Sequence, residues 1–284
     1  MSTAPAVVAV VGGGSMGAGI AQSFALIGSR VTVVETGDQA AAAARRRIDA
    51  ALTRAAERGR LAEPAPSVIG RITVLSSLSG LPAEAALVVE AVPETFHLKA
   101  AVLAEAEKAM DERAILATNT SSLSVTELGS RLSRPGQFLG MHFFNPVPAS
   151  ELVELVRTPA TLPETLSAAM AWTQALGKQE VVVNDSPGFA SSRLGVALGL
   201  EAIRMVEEGV AEPEAIDTAV RLGYKHPMGP LRVTDLVGLD VRLAIAEHLH
   251  TTLGERFRPP RLLRDKVSRG ELGRKSGKGF YSWP

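Results

Sequence analysis

No cysteine occurs anywhere in the 284 residues, so neither a disulfide framework nor thiolate chemistry is open to this chain. A surplus of charge is missing too. Thirty lysines and arginines balance thirty aspartates and glutamates, and nothing global points to nucleic acid or an anionic membrane as partner. Nor is there a long apolar run. The stretch 6–11 is too short to span a membrane, has no basic flank, and leads straight into a glycine-rich turn, so it reads as a buried strand. With the fold starting at about residue 6, no transit peptide is expected, and the expected location is the cytoplasm. No metal site is expected: His97, His226, His248 and His250 have no carboxylate at ligand spacing and read as structural or solvated. Trp172 and Trp283 read as packing residues.

What is present is the make-up of an ordinary globular protein, 46% hydrophobic and 21% charged, long enough for two domains. The first half alternates β-branched runs with helical stretches. Strands are expected at 7–11, 30–35, 72–75, 87–92, 114–118, 138–142 and 180–183. Alternation of this kind implies a mainly parallel sheet covered by helices on both faces. One long helix, 38–60, is expected to project from it, with Ile48, Leu52 and Ala55 at helical spacing. After 184–188 the character changes, and helices are expected at 189–208, 213–222, 231–253 and 260–270. The expectation is therefore an α/β fold: a Rossmann-type doubly wound domain over 1–184, then a smaller all-helical domain over 185–284. No repeat of fixed period interrupts this plan.

The residues 12–17 read Gly-Gly-Gly-Ser-Met-Gly and fit G-x-G-x-x-G. The match gains weight from context, since it follows a strand, opens a helix, and precedes a second strand ending in Glu35. Gly12 makes the tight turn, Gly14 lets backbone approach a pyrophosphate, and Gly17 lets the helix pack on the strand. Ser15 and Met16 begin the helix, whose N-terminus offers N–H groups and a positive dipole to phosphate. Glu35 would accept the adenosine ribose hydroxyls and repel a 2′-phosphate, which favours NAD over NADP.

Two further clusters fall at strand ends, where an open α/β sheet binds its ligands: Asn119-Thr120-Ser121-Ser122, and His142 with Asn145. A lone histidine there reads as structural; paired with an Asn/Ser cluster on a nucleotide-binding sheet it reads as functional. Together with the glycine fingerprint, the segments 118–123, 142–148, 152–155, 185–189, 226–230 and 273–281 closely resemble the 3-hydroxyacyl-CoA dehydrogenase family, from end to end. The resemblance implies His142 as acid/base and Glu154 as the carboxylate that orients it. It implies Ser121 as the hydroxyl that meets substrate, and Glu94, Lys99, Asn119, Asn145 and Lys275 as cofactor contacts. The chemistry suits that pair, because hydride leaves a carbinol carbon only as the hydroxyl proton is withdrawn. Glu151 is a poorer partner, since three positions along a strand put it on the opposite face from Glu154.

Two regions depart from the family pattern. Ser192 stands before Arg193 where the family has a substrate-holding asparagine, and a serine is shorter with a single donor. In the long helix, Ala51 and Arg58 replace a serine and a lysine that contact coenzyme A in the family. Six arginines against three acids over 38–60 keep a basic surface there in another form. The resemblance implies NAD as cofactor, a short-chain acyl-CoA such as 3-hydroxybutyryl-CoA as substrate, and no nucleic acid or membrane partner. The stretch 196–205, apolar on more than one face, reads as either a homodimer interface of the helical domain or that domain's own core. Two other functional readings stand beside this one: a dehydrogenase of a free hydroxy acid of the L-gulonate or carnitine kind, and a dinucleotide-binding protein without turnover.

Overall fold

Five consecutive buried residues form β1 (Val7–Val11), the pattern of a strand covered on both faces. In the computed structural model, which describes residues 4–284, β1 sits inside an eight-stranded sheet. The others are β2 (Arg30–Val34), β3 (Ile72–Leu75), β4 (Leu87–Glu90), β5 (Ile115–Thr118), β6 (Phe138–Phe143), β7 (Leu152–Arg157) and β8 (Gln179–Asn184). Their order is β3-β2-β1-β4-β5-β6-β7-β8, and all neighbours run parallel except β6 with β7. The chain winds one way from β1 to β3 and the other from β4 to β6, so the order reverses between β1 and β4. The carboxyl ends of those strands are where such a sheet takes a ligand.

β7 lies outside the seven strands expected from apolar runs. Buried Glu154 interrupts its apolar character, although the argument over Glu151 already treats this segment as extended. The antiparallel pairing has a direct consequence: His142 and Glu154 face each other in register.

The helices of this unit are α1 (Ser15–Leu26), α2 (Asp38–Glu57), α3 (Ala65–Ile69), α4 (Phe96–Ala109), α5 (Val125–Gly129) and α6 (Pro163–Ala175). α2 stops at Glu57, short of the expected residue 60, because Gly59 turns left-handed at φ +62°. It is also less free than a projecting helix. Ala44, Ile48 and Leu52 are buried, and that face packs on α1, α3 and β3.

A second compact unit spans Ser186–Pro284. It consists of α7 (Ser191–Glu207), α8 (Pro213–Gly223), α9 (Pro230–Val237), α10 (Leu239–Leu253) and α11 (Arg261–Ser268). The single helix expected over 231–253 is broken by Gly238 at φ +103°, a backbone state that β-carbon-bearing residues avoid. Val196, Leu200 and Ile203 are fully buried in this unit's own core. The stretch 196–205 is thus mainly core, and the large apolar side chains exposed on α7 are Leu194 and Leu198. Two buried aspartates tie down the C-terminal segment. Asp235 accepts from the backbone N–H groups of Phe280 and Tyr281 and from the Trp283 indole. Asp217 accepts from Leu231 and Arg232 N–H and from the Tyr281 hydroxyl. Trp283 therefore has a polar role besides packing.

Candidate active site

The turn after β1 is shaped by what a side chain would strike. A Cβ on Gly12, at φ +98°, would lie 2.8 Å from Ala91 O, and one on Gly17 would lie 1.8 Å from Gly12 O. Either would push the helix off the strand. On the Cβ side of Gly14 nothing lies within 4 Å, which leaves room for a ligand to reach the start of α1. No side chain caps that helix end, so its first N–H groups suit a phosphate. Gly14 and Ser15 are exposed and Met16 half-buried. Glu35 follows β2 directly. Its Oε1 accepts from Gly13 N–H at 2.7 Å, and Oε2 makes only a 3.4 Å contact to Thr36 N–H. Arg47 of α2 donates to Gly13 O at 2.6 Å. The turn is thus held from both sides, and its geometry fits a dinucleotide.

At the ends of β5, β6 and β7 the reactive groups form a line. Ser121 Oγ is 3.0 Å from His142 Nε2, and His142 Nδ1 is 2.8 Å from Glu154 Oε2. His142 and Glu154 are 4% and 1% exposed, so the carboxylate acts on the ring with little screening by water. Glu151 is exposed and takes no part. Asn119 Oδ1 accepts from Phe143 N–H at 3.0 Å, locking the two strand ends together. Asn145 is exposed just beyond β6.

Beneath this line lies a buried charge cluster that sequence reasoning recognised only in part. Lys99 is completely buried. Its ammonium meets Glu90 Oε1 at 2.8 Å, Val92 O at 3.2 Å and Asn119 O at 3.0 Å, with Glu94 Oε2 at 3.5 Å. In this structure the donors of Lys99 are all directed to protein acceptors. Glu94 Oε1 accepts from Thr120 Oγ, from the backbone N–H groups of Ser121 and Ser122, and from Ser122 Oγ. It thereby fixes the loop that carries Ser121. Burial pushes Glu94 up, but the Lys99 charge and the bonds from Thr120, Ser121 and Ser122 outweigh it and hold the carboxyl below the usual range. Burial pushes Glu90 above that range against the pull of Lys99, Thr118 and Val92. Glu90 was not singled out from the sequence. The available signal was an acid closing the buried run Leu87–Glu90, with a lysine nine residues on.

The remaining expected site residues belong to other elements. Lys275, in the second unit, is paired with Asp240 at 2.6 Å. Ser192 is half-buried in the first turn of α7. Arg58 caps the C-terminus of α2 and is exposed, and Ala51 is half-buried. Among the described residues no group of three or more His, Asp or Glu side chains could hold a metal ion.

Residues 7–186 match the model of the 3-hydroxyacyl-CoA dehydrogenase NAD-binding domain, and residues 188–283 that of the C-terminal domain. The chain belongs to the 3-hydroxyacyl-CoA dehydrogenase family. Within that family it is 44% identical to a probable 3-hydroxybutyryl-CoA dehydrogenase of Bacillus subtilis, across 97% of this chain and 96% of the relative. It is 43% identical to the 3-hydroxybutyryl-CoA dehydrogenase of Mycobacterium tuberculosis over the full length of both. Among solved family structures, the (S)-3-hydroxybutyryl-CoA dehydrogenase of Ralstonia eutropha superposes with a TM-score of 0.93 at 39% identity, covering 99% of this chain and all of the other.

Proposed function

We propose that this chain is an NAD-dependent dehydrogenase of short-chain (S)-3-hydroxyacyl-CoA thioesters, interconverting 3-hydroxybutyryl-CoA and acetoacetyl-CoA. The observation that carries this reading is the line from Ser121 Oγ through His142 to Glu154, at 3.0 and 2.8 Å. A dinucleotide-binding protein without turnover has no use for a buried, carboxylate-oriented imidazole. The relatives named 3-hydroxybutyryl-CoA dehydrogenase support the short acyl chain.

Gly12, Gly14, Ser15, Met16 and Gly17 would cradle the pyrophosphate, and Glu35 would take the adenosine ribose. Glu94, Lys99, Asn119, Asn145 and Lys275 are the further candidates to hold this cofactor, and Lys99 also supports Glu94 and Asn119 from within the fold. Bound NAD would supply the hydride acceptor. Glu154 accepts the Nδ1–H of His142, which leaves the lone pair of the neutral ring on Nε2. That nitrogen takes the C3 hydroxyl proton in oxidation and returns it in reduction. Glu154 stabilises the imidazolium formed between. Ser121 Oγ, beside the same nitrogen, donates to the substrate oxygen. Cytoplasmic action is part of this reading, since NAD and coenzyme A are both polyanions that do not cross membranes. Among the described residues no helix is long and apolar enough to cross one.

The test is NADH oxidation with acetoacetyl-CoA and with free acetoacetate, in wild type and His142→Gln. Turnover is expected with the thioester alone. The substitution should lower kcat by roughly 10²- to 10⁴-fold with NADH affinity retained. Near-normal turnover in a folded His142→Gln would refute the mechanism, and equal use of free acetoacetate would favour a free hydroxy acid as substrate.

A further inference from the structure

Gly13 is gripped at both ends by side chains of opposite charge. Its N–H donates to Glu35 Oε1 at 2.7 Å, and its carbonyl accepts from Arg47 Nη1 at 2.6 Å. Packing fixes where that arginine stands. A Cβ on Gly13 would meet Ala44 Cβ at 2.4 Å and Glu35 Oε1 at 3.2 Å. Glu35 and α2 therefore lie on the same side of Gly13, the side its missing side chain would take up. Arg47 follows Ala44 by one turn on that face of the helix. Arg47 is exposed, yet it is anchored at the turn instead of reaching into solvent. Its bond to Gly13 O is the one it makes among the described residues, which leaves most of its five N–H donors open. The acid one turn away, Asp49, is paired with Arg45.

The backbone decides which part of a dinucleotide this cation can meet. The peptide between Gly13 and Gly14 is trans, so the Gly13 carbonyl and the Gly14 N–H point to opposite sides of it. A pyrophosphate on the N–H groups at the start of α1 therefore lies across that peptide from Arg47. The adenosine ribose lies with Glu35, on the side that α2 shares. In this fold an acid after the second strand takes the ribose hydroxyls of NAD, and a nearby arginine accommodates the 2′-phosphate of NADP. This chain carries both.

We propose that Arg47 is a specificity-determining residue of the cofactor site: it receives the 2′-phosphate of NADP(H), so that the site accepts NADP(H) beside NAD(H). Glu35 alone would repel that phosphate. A guanidinium fork on the same side of Gly13 supplies paired donors and an offsetting charge. The inference rests on the proposed dinucleotide site and deepens it.

Binding tests this without turnover, by fluorescence titration of the protein with NADH and with NADPH, and by competition with 5′-AMP and adenosine 2′,5′-bisphosphate. Wild type should bind NADPH within roughly tenfold of NADH. Arg47→Met should weaken NADPH and the 2′,5′-bisphosphate by roughly ten- to hundredfold, the range of a charge-assisted hydrogen bond, and leave NADH and 5′-AMP unchanged. Arg47→Lys keeps the charge without the fork and should fall between. Glu35→Gln can still accept from Gly13 N–H but lacks the repelling charge. It should turn the preference towards NADPH, and adding Arg47→Met should cancel that gain. Arg47 is exposed, so folded variants are expected, checked by their thermal midpoints. Were Arg47→Met not to fold, the wild-type ratio and the lysine variant still decide the matter. Equal weakening of NADH and NADPH by Arg47→Met would overturn the proposal, because the arginine would then serve only the turn or the pyrophosphate. So would a ratio that Arg47→Met leaves unchanged, or a wild-type protein that binds NADPH more weakly than the stated range. A protein that binds neither dinucleotide would remove the cofactor site itself, and this inference with it.

Discussion

At the scale of single residues, the site depends on charges that never face the substrate. Lys99 binds Glu90, approaches Glu94 and donates to Asn119 O, so one ammonium supports both the floor and the rim of the catalytic line. Glu94 converts that support into the placement of Ser121. Because its carboxyl is held below the usual range, it contributes stability that is present above the unfolded value of about 4.3. That contribution is lost as pH falls through the lower folded value. Glu94→Gln should therefore flatten the acid limb of the thermal stability profile relative to wild type. Melting curves taken from neutral pH down to about pH 3 test this, and parallel profiles for the two proteins would contradict it. His142 and Glu154 were legible in the sequence because each falls in a segment with a family pattern. Glu90 was not, because a carboxylate inside an apolar run becomes meaningful only when the fold brings a lysine to it.

At the scale of elements, periodicity gave the strands and helices well where one face is buried, and failed where a glycine changes the backbone. Gly59 ends α2 and Gly238 splits α9 from α10; both lie inside stretches whose apolar spacing continues without a break. β7 failed for the opposite reason, an acid inside a buried strand. The structure also sorts the arginines of α2. Arg45 donates to Asp49 and Ile72 O, and Arg47 to Gly13 O. Positions 47, 51, 54 and 58 fall on one helical face, which runs from the dinucleotide turn to the end of the helix. Arg54 and Arg58 are exposed along it. The negative end of the helix dipole lies at Arg58, so an anion held there relies on guanidinium groups alone. Arg58→Ala should raise KM for acetoacetyl-CoA by several-fold, as befits an exposed charge pair worth about 1 kcal/mol, and leave KM for NADH alone. The effect should shrink at high salt and vanish with a pantetheine thioester, which lacks the nucleotide phosphates. An equal effect on both thioesters, or none, would show that α2 does not clamp coenzyme A.

At the scale of the molecule, apolar exposure is unevenly shared between the two units. Of the twelve large hydrophobic residues left exposed among the described residues, eight lie in the second unit, which holds about a third of the chain. Its own core is complete without them, as the full burial of Val196, Leu200, Ile203 and Leu249 indicates. Such a surface suits a partner, and a second copy of the chain joined by a two-fold axis is the simplest one. We infer a homodimer through the helical unit, with Leu194, 70% exposed and one turn before Leu198, as a contact. The sequence left the stretch 196–205 open between such an interface and the unit's own core, and most of it is core. The spread of apolar positions around α7 was visible, whereas which of them the unit's own helices cover depends on the break at Gly238 and on the approach of α9 and α10 to α7. Leu194→Asp would place a carboxylate in the apolar interface, where it has no partner and must be desolvated. Sedimentation equilibrium should then show dissociation at a concentration at least about tenfold higher than for wild type, as expected for a loss of 1.4 kcal/mol or more. The helical content of the variant should be unchanged, because Leu194 lies outside the core it flanks. A wild-type protein that sediments as a monomer at micromolar concentration, or a variant that dimerises as well as wild type, would show that this face meets something other than its own copy.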